Sequence, residues 1–359
     1  MVKPGPRLAI AHYNSEMKVD NPTSRDIADI AGVSQATVSR ALRNSPLVRP
    51  ETRERIQEIA RELNYFVNRN AAGLRTHQSN TIALLMFDET GGEDAQINPF
   101  FLPMLGYISR SAASVGYDVL VSLQQLTDDW HIEYQASHRA DGLILLGYGD
   151  YVSYREKLDA LEAANTRFVI YGAAGAGQPG LSIGCDNVAG GRMATQRLLE
   201  VGRQRIAILG DISRRHPEFA SRYDGYRAAL DEAGLGTDES LAIHADNTEN
   251  DAYQAMQAFL AGATPFDAVF AVTDVLAIGG MRALNDAGIQ VPVDVSVIGF
   301  DDLPRAASFN PPLTTVQQNI REASDSLVRT IVGLIEGKDV ESIQMQPKLI
   351  VRQSCETTQ

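Results

Sequence analysis

Residues 23–42 read TSRDIADIAGVSQATVSRAL, and this stretch predicts two short helices joined by a tight turn. Thr23 suits the N-cap of the first helix, and Asp26 stands three residues later as its capping-box partner. Gly32 can adopt the positive φ that ends this helix, and Ser34 can cap the next one. This spacing predicts a helix-turn-helix.

The second of these helices has an apolar side and a polar side. Val38 and Leu42 lie four residues apart and are expected to face inward. The residues left outside crowd the first turns, which suits insertion into a major groove: Gln35, Ala36, Ser39 and Arg40. A plain αα-hairpin has the same spacing, so it stays an alternative to DNA binding at this point.

A third helix is predicted over residues 50–65, PETRERIQEIARELNY. Pro50 stands where the first helical residue belongs. Apolar residues at helical spacing can close a small three-helix core: Ile56, Ile59, Ala60 and Leu63.

Residues 21–75 resemble the DNA-binding headpiece of the lactose-repressor (LacI/GalR) family. The resemblance rests on the sequence segments DIADIAGVS, TVSRAL, TRERI, ELNY and NRNAAGLR. The resemblance implies a DNA-binding domain over 21–66 in which Gln35 and Ala36 face the bases. Gln can pair with adenine and Ala can meet a thymine methyl, while Arg40 would contact a base or a phosphate. The other contacts expected here are hydroxyl residues, of which the last three would hold phosphates: Thr23, Ser34, Thr37 and Ser39.

Residues 67–78, VNRNAAGLRTHQ, join this domain to the rest of the chain. The resemblance implies a hinge helix that orders only on DNA, with Leu74 wedged into the minor groove. The other hinge residues expected at the DNA are Asn68, Arg69 and Ala71. A flexible, solvated linker is the alternative, because Gly73 lowers helix propensity by about 1 kcal/mol relative to Ala.

The charge distribution indicates a basic N-terminal domain followed by an acidic remainder of the chain. A chain of 359 residues is expected to form two or three domains. The net charge is −13 overall but +4 over residues 1–78 and −17 over the remainder, which suits a DNA binder with a separate sensor for a neutral ligand.

Residues 1–20 show no periodic pattern of apolar residues and are expected to be a poorly ordered leader. Two distant cysteines, no membrane-spanning run and no secretory signal indicate a cytoplasmic protein.

From residue 80 onward, apolar runs alternate with helical patterns. The runs cover 81–87, 118–123, 141–147, 167–172, 181–186, 205–210, 267–274 and 295–302, and the helical stretches include 103–115, 188–201, 220–233, 252–260 and 276–287. Nearly continuous Val/Ile/Leu strands between helices predict parallel sheets covered on both faces, here in two doubly wound α/β lobes.

The same resemblance implies a periplasmic-binding-protein-like sensor and dimerisation domain over 79–359, with three crossings between its lobes. Lobe 1 is expected to hold about 79–180 and 317–338, and lobe 2 about 181–310 and 339–359. A lone headpiece has too little interface for tight binding, so a homodimer on near-palindromic operator DNA is expected.

Three glycines, Gly175, Gly177 and Gly180, match the dinucleotide fingerprint G-x-G-x-x-G. They precede another apolar strand instead of the helix that the fingerprint requires, so they favour a loop between the lobes. No nucleophile elbow is present and the six histidines are scattered. We therefore expect no enzyme activity, no cofactor and no metal site.

Ligands of such sheets bind beyond the carboxyl ends of the strands. Asp301 ends the run VSVIGFD, where its carboxylate can accept bonds from adjacent hydroxyls; the alternative is a turn-capping role. The resemblance places Arg222 at the ligand, and the alternative is a surface ion pair with Asp224 or Glu218. The other candidate effector contacts are Asp88, Asn98, Phe100, Cys185, Thr273 and Asp274, while Trp130, Tyr148 and Tyr171 are weaker.

An aromatic beside polar groups suits a sugar, although Phe100 and its neighbour Phe101 are not both expected to face a cleft. The sequence thus predicts a homodimeric repressor of carbohydrate-utilisation genes, controlled by a sugar between two lobes. The alternatives are a nucleobase-type effector on the same architecture and a solute-binding protein, which would have an export signal and no headpiece.

Overall fold

The computed structural model describes residues 22–65, 78–87, 97–124, 133–147, 151–173 and 178–356. The chain divides into two units, Met1–Ser79 and Asn80–Gln359. The predicted leader lies outside the described residues, as do the hinge residues Asn68, Arg69, Ala71 and Leu74 and the candidate ligand contact Asp88.

The described part of the first unit forms the predicted helices α1 (Ser24–Ala31), α2 (Gln35–Leu42) and α3 (Pro50–Glu62). The Thr23 amide donates to the Asp26 carboxylate over 2.7 Å, and the Asp26 amide donates to the Thr23 hydroxyl over 3.4 Å. Gly32 ends α1 with a φ of 62°, and the Ser34 hydroxyl accepts the Thr37 amide at the start of α2. The predicted caps of the helix-turn-helix are therefore confirmed.

A small apolar core holds these helices together. Ile27, Val38 and Ile56 are completely buried in it. Leu42, predicted to face inward with Val38, is half-buried and packs against this core, and Ala41 is completely buried beside it. The predicted inward side of the helix is therefore present, with Ala41 as a further member.

The second unit is built from twelve described strands and eight described α-helices. The strands are β1 (Thr81–Phe87), β2 (Asp118–Gln124), β3 (Gly142–Leu146), β4 (Phe168–Tyr171), β5 (Leu181–Cys185), β6 (Ile206–Leu209), β7 (Ala242–Ile243), β8 (Ala268–Ala271), β9 (Ser296–Asp301), β10 (Thr314–Gln317), β11 (Ile343–Met345) and β12 (Lys348–Ile350). The helices are α4 (Phe101–Ser114), α5 (Tyr151–Ala163), α6 (Asn187–Glu200), α7 (Pro217–Glu232), α8 (Glu249–Ala261), α9 (Asp274–Asp286), α10 (Pro304–Ser308) and α11 (Ile320–Ile335).

These strands form two six-stranded sheets, one in each lobe. The first has the order β11-β5-β4-β3-β1-β2 and the second β12-β10-β9-β8-β6-β7. The described pairings are parallel except that of β12 with β10. Alternate residues of β1 enter two different apolar clusters, so helices cover both faces of the first sheet, as its apolar runs predict.

The chain crosses between the lobes after Cys185, after Gln317 and after Met345. Two predicted lobe assignments are wrong. The sequence predicts β5 and β11 in lobe 2, but β5 pairs with β4 and β11 pairs with β5, both in the first sheet. Both strands extend the first sheet by parallel pairing, so the first crossing comes at the end of β5 instead of before it. In the described part of the chain, no helix combines the length and the apolar character needed to cross a bilayer.

Candidate functional sites

The exposed side of α2 carries the predicted base-reading residues. Gln35, Ala36 and Arg40 are all exposed. The Gln35 amide nitrogen donates to the Ser24 hydroxyl of α1 over 2.7 Å, which links the side chain to the first turn of the neighbouring helix. The exposed amide and guanidinium groups are of the kind that can hydrogen-bond to base edges in a major groove.

The hydroxyl residues of α2 have local partners. The hydroxyls of Ser34 and Thr37 lie 2.9 Å apart, and the Ser39 hydroxyl accepts a bond of 3.1 Å from Arg43. Arg43 is exposed one turn beyond its partner Ser39 and was not among the predicted contacts. A second arginine beside Arg40 increases the positive charge that this side of the helix can offer to phosphates.

In the second unit, one cavity lies between the lobes beyond the carboxyl ends of β4, β5 and β9. It has a volume of about 610 Å³, including open solvent at its mouth. The predicted ligand residues that line it are Asn98, Phe100, Cys185, Arg222, Thr273 and Asp301. The cavity occupies the crevice in which doubly wound sheets bind ligands.

Arg222 is fixed deep in the wall of this cavity by the second lobe. Its Nε donates to the Asn187 side chain over 2.9 Å, and its Nη1 donates to the Val272 carbonyl over 2.5 Å. The guanidinium carbon lies 3.7 Å from the centre of the Phe300 ring. Because Arg222 is only 3% exposed, a surface ion pair with Asp224 or Glu218 does not describe it.

Two glycines set the position of Arg222 by letting α6 and α7 touch through their backbones. A Cβ on Gly191 would lie 2.0 Å from the Arg222 carbonyl oxygen, and one on Gly225 would lie 2.1 Å from the Val188 carbonyl oxygen. No larger residue fits at either position without separating the helices.

Asp301 projects into the cavity from the end of β9 with a strained backbone, at a φ of 116°. Its Oδ1 accepts a bond of 2.7 Å from the Gln318 amide and lies 3.7 Å from Nη1 of Arg222. Non-glycine residues in this region of φ are uncommon and cluster at functional sites. Its neighbour Asp302 is held instead by Arg352 and Gln317, each at 2.6 Å.

The first lobe contributes an aromatic wall. Phe100 and Phe101 both border the cavity, and their rings meet edge to face at 5.2 Å. Phe100 is only 5% exposed and belongs to the apolar core, as expected for one of the two, so Phe101 is the more accessible ring. Tyr171 lies 5.8 Å from Phe100 and 6.2 Å from Phe101 between ring centres. The three rings pack on one another and present a single apolar surface to a ligand.

The thiol and the phenol of the cavity stay protonated at neutral pH. Burial raises the pKa of Cys185 to about 12, although Arg222 acts against this shift. Burial also raises the pKa of Tyr171 well above its ordinary value, with Cys185 and Asp301 adding to the effect. Cys185 can therefore donate a weak hydrogen bond to a ligand without adding charge, whereas the Tyr171 hydroxyl already donates to the Gln318 side chain over 2.7 Å.

Thr273 lines the cavity, but Asp274 does not. The Thr273 hydroxyl donates to Asn247 over 2.8 Å and caps α9. Asp274 is completely buried behind it, where its two oxygens accept the Leu303 amide at 2.8 Å and the Thr315 hydroxyl at 2.6 Å. The prediction that Asp274 binds the effector is therefore wrong for this structure, since both carboxylate oxygens serve to join α9 to its neighbours.

We expect Asp274→Asn to remove part of the pH dependence of stability. Burial, followed by the charge of Asp301, raises the pKa of Asp274 well above its usual value. The stability linked to the protonated form is present at low pH and is lost as the pH rises through the raised pKa. An Asn side chain can still accept the Leu303 amide and can donate to the Thr315 hydroxyl. Thermal unfolding between about pH 5 and pH 8 should therefore fall less steeply in the variant; parallel curves would contradict this account.

The cavity also contains residues that the sequence analysis did not single out. Gln318 and Asn187 bond to Asp301 and Arg222, and His216 and Phe219 line the same wall from α7 and its N-cap. Each of them follows a strand or opens a helix, so strand-end position was the available signal. Glu218 accepts the Ala173 amide over 3.0 Å and so joins the two lobes at the rim. Trp130 and Tyr148 lie outside the described residues.

Two family models match the chain. The model described as bacterial regulatory proteins, lacI family, covers residues 23–68, and the model of a periplasmic binding protein-like domain covers residues 195–355. The HTH-type transcriptional regulator CelR of Thermobifida fusca is 32% identical over 340 residues, which is 93% of this chain and 98% of the relative. The chain belongs to the LacI family of bacterial regulators.

Other members of the LacI family match over the same length. The ribose operon repressor of Escherichia coli K12 is 30% identical and covers 93% of this chain and 99% of its own. A solved CelR–cellobiose complex has a TM-score of 0.68 at 31% identity, covering 93% of this chain and all of that one. A lac repressor dimer bound to operator and an anti-inducer has a TM-score of 0.82 at 26% identity, covering 93% and 99%. These homologues are transcriptional regulators, not enzymes.

Proposed function

We propose that this chain is a homodimeric repressor of carbohydrate-utilisation genes in the cytoplasm, and that a sugar bound between its lobes controls its operator affinity. In this proposal α2 reads near-palindromic DNA with Gln35, Ala36 and Arg40. A change in lobe angle alters the spacing of the two headpieces and so the bound state. Relatives named as a ribose operon repressor and as a lac repressor bound to operator support the repressor class.

The buried Arg222–Asp301 pair facing an aromatic wall is the observation that carries the sugar proposal. The two opposite charges lie 3.7 Å apart, and both side chains are nearly inaccessible to solvent. A guanidinium and a carboxylate can together hold vicinal hydroxyls, while the apolar face of a sugar ring packs on Phe101. The cellobiose bound by the CelR relative is a sugar, which agrees with this class of ligand.

A nucleobase-type effector is less well supported by the same walls. A purine stacks on an open aromatic face. Phe100, Phe101 and Tyr171 pack on one another in the first lobe, and Phe219 of the second lobe packs on His216 with ring centres 5.2 Å apart. A solute-binding protein is also less well supported, because the similarity to regulators runs through the headpiece.

A thermal-shift panel tests the ligand class. Full-length protein would be melted with mono- and disaccharides, including ribose and cellobiose, and with purine bases. A sugar at about 100 times its Kd should stabilise the protein by about 2.7 kcal/mol. Stabilisation by a purine alone would replace the sugar proposal, and stabilisation by neither class would remove its support.

The operator proposal is tested separately by selection from a random duplex pool. We expect the full-length protein to enrich an inverted repeat, and the stabilising sugar to change the affinity for it. No enrichment over random duplex would contradict sequence-specific binding, whatever the ligand screen shows.

For the dimer, we propose that a second copy covers an apolar groove on the sensor unit. The groove is lined by Ile97, Leu102, Val275, Ile278, Leu303 and Pro304, and Leu102 is 50% exposed. A similar solved relative is a lac repressor dimer, and operators with two half-sites require two headpieces.

Leu102→Glu is accordingly expected to dissociate the dimer, because it places a charge in an apolar interface. The molar mass in light scattering should fall from twice 39.0 kDa to 39.0 kDa, and operator affinity should fall with it. Leu235→Glu is the matched control, since Leu235 is 43% exposed and does not line the groove. A dimeric Leu102→Glu protein would place the interface elsewhere.

A further inference from the structure

One amide in the floor of the cavity is bonded to both lobes. Gln318 lies in the crossover between β10 of the second sheet and α11, and is 6% exposed. Its Nε2 donates to Oδ1 of Asp301 at the end of β9 over 2.7 Å. Its Oε1 accepts the Tyr171 hydroxyl at the end of β4 over 2.7 Å. A single side chain therefore connects the carboxyl ends of the two sheets.

The chemistry of the partners fixes which way this amide points. The phenol of Tyr171 is protonated and donates, because burial raises its pKa well above the usual value. A carboxylate such as Asp301 only accepts. The amide nitrogen must therefore face Asp301, which leaves the amide oxygen for Tyr171; the reversed orientation would place an oxygen against the Asp301 carboxylate.

The same three residues lie among the other polar groups of the cavity. Arg222 approaches Oδ1 of Asp301 at 3.7 Å, and Cys185, Glu218 and Arg222 all act on the pKa of Tyr171. Asp274 lies behind Asp301 and is affected by its charge. The amide thus orients the carboxylate at the point where the second lobe presents its one acidic group from β9 to the cavity.

We infer that Gln318 is a positioning residue that holds the Asp301 carboxylate in place and links it to Tyr171. These two bonds would fix the angle between the lobes at the floor of the cavity, below the bound ligand. The inference rests on the proposed function only in taking Asp301 as a ligand contact. A ligand that draws Asp301 toward its own hydroxyls would change the bond to Gln318 and, through it, the position of the first lobe.

Replacement by Glu gives a test that needs no ligand. Gln318→Glu places a carboxylate against Asp301, which raises the pKa of the new group. When protonated, the introduced carboxyl group would imitate the amide, because its hydroxyl donates to Asp301 and its carbonyl accepts from Tyr171. The unfolding midpoint of the variant should lie about 2–4 °C below that of the natural chain at pH 8 and approach it toward pH 5. A difference that is constant with pH would overturn the inference.

A mutant cycle separates a tie between lobes from local packing. Tyr171→Phe should lower the unfolding midpoint of the natural chain but have no further effect in a Gln318→Leu background, because the bond is already absent. Gln317→Leu is the matched background: Gln317 donates to Asp302 over 2.6 Å and has no described bond to Tyr171, so the effect of Tyr171→Phe should persist there. Equal effects of Tyr171→Phe in both backgrounds would contradict a link between the lobes through Gln318. The mutant cycle needs no ligand, so it can be interpreted even if the sugar screen finds no stabilising sugar.

Discussion

Asp301→Asn is expected to weaken binding of the stabilising sugar by about 100-fold while operator affinity without sugar stays unchanged. In the proposed site the carboxylate accepts hydrogen bonds from sugar hydroxyls, and a hydrogen bond to a charged group contributes about 1.5–3 kcal/mol, which corresponds to about 100-fold in affinity. The loss of the charge that faces Arg222, 3.7 Å away, lowers folding stability instead. Asn is a sharper substitution than Ala because Asn and Asp are enriched among residues with positive φ, as at Asp301, and because Asn keeps an oxygen for the Gln318 amide. Titration calorimetry with the sugar and fluorescence anisotropy with operator DNA measure the two affinities.

The adjacent residue supplies the control. Asp302 has the same carboxylate and also a positive φ, of 54°, but it bonds to Arg352 and Gln317. Asp302→Asn should therefore lower the unfolding midpoint and leave sugar affinity unchanged. If both variants lose stability equally and neither changes the Kd for the sugar, then Asp301 is a structural residue and the ligand lies elsewhere.

Features that depend on local contacts could be predicted from sequence. The capping box of Thr23 and Asp26, the left-handed Gly32 and the Ser34 cap each join residues within a few positions, so their spacing alone determines the geometry. Apolar runs likewise located most strands and helices. The burial of Ala41 was not predicted, because it depends on packing against the other helices of the headpiece.

Features that depend on distant partners could not be predicted in this way. An apolar strand such as Leu181–Cys185 pairs equally well in principle with either sheet, and only the tertiary structure places it beside β4. Asp274 and Asp301 both stand at the junction of a strand and the following segment. Their difference in role arises because Leu303 and Thr315, from other elements, occupy the carboxylate of Asp274.

The ligand site shows both kinds of feature. Strand ends indicated Asp301, and the family resemblance indicated Arg222. Gln318 directly follows a strand, as Asp301 ends one, but its bonds to Asp301 and Tyr171 come from distant elements and no local pattern records them. The aromatic wall also depends on tertiary structure, since the contact between Phe100 and Tyr171 joins residues from different elements.

Arg40→Ala is expected to weaken binding to the selected operator by about 10- to 100-fold, or 1–3 kcal/mol, at fixed salt. Arg40 is exposed on α2, one turn after Gln35 and Ala36, so its guanidinium can reach either a base edge or a phosphate. Arg61→Ala is the control, because Arg61 is equally charged and exposed but lies in the last turn of α3. Gel shifts on operator and on random duplex measure the change.

Salt dependence then distinguishes the two possible contacts of Arg40. If Arg40 reads a base, the variant should lose affinity for the operator but keep its affinity for random duplex, and the dependence on salt should change little. If it neutralises a phosphate, both affinities should fall together, and the slope of log K against log salt should decrease in magnitude by about 1. Affinity equal to that of the Arg61→Ala control on both duplexes would show that α2 does not present Arg40 to DNA. The proposed orientation of the recognition helix would then be wrong.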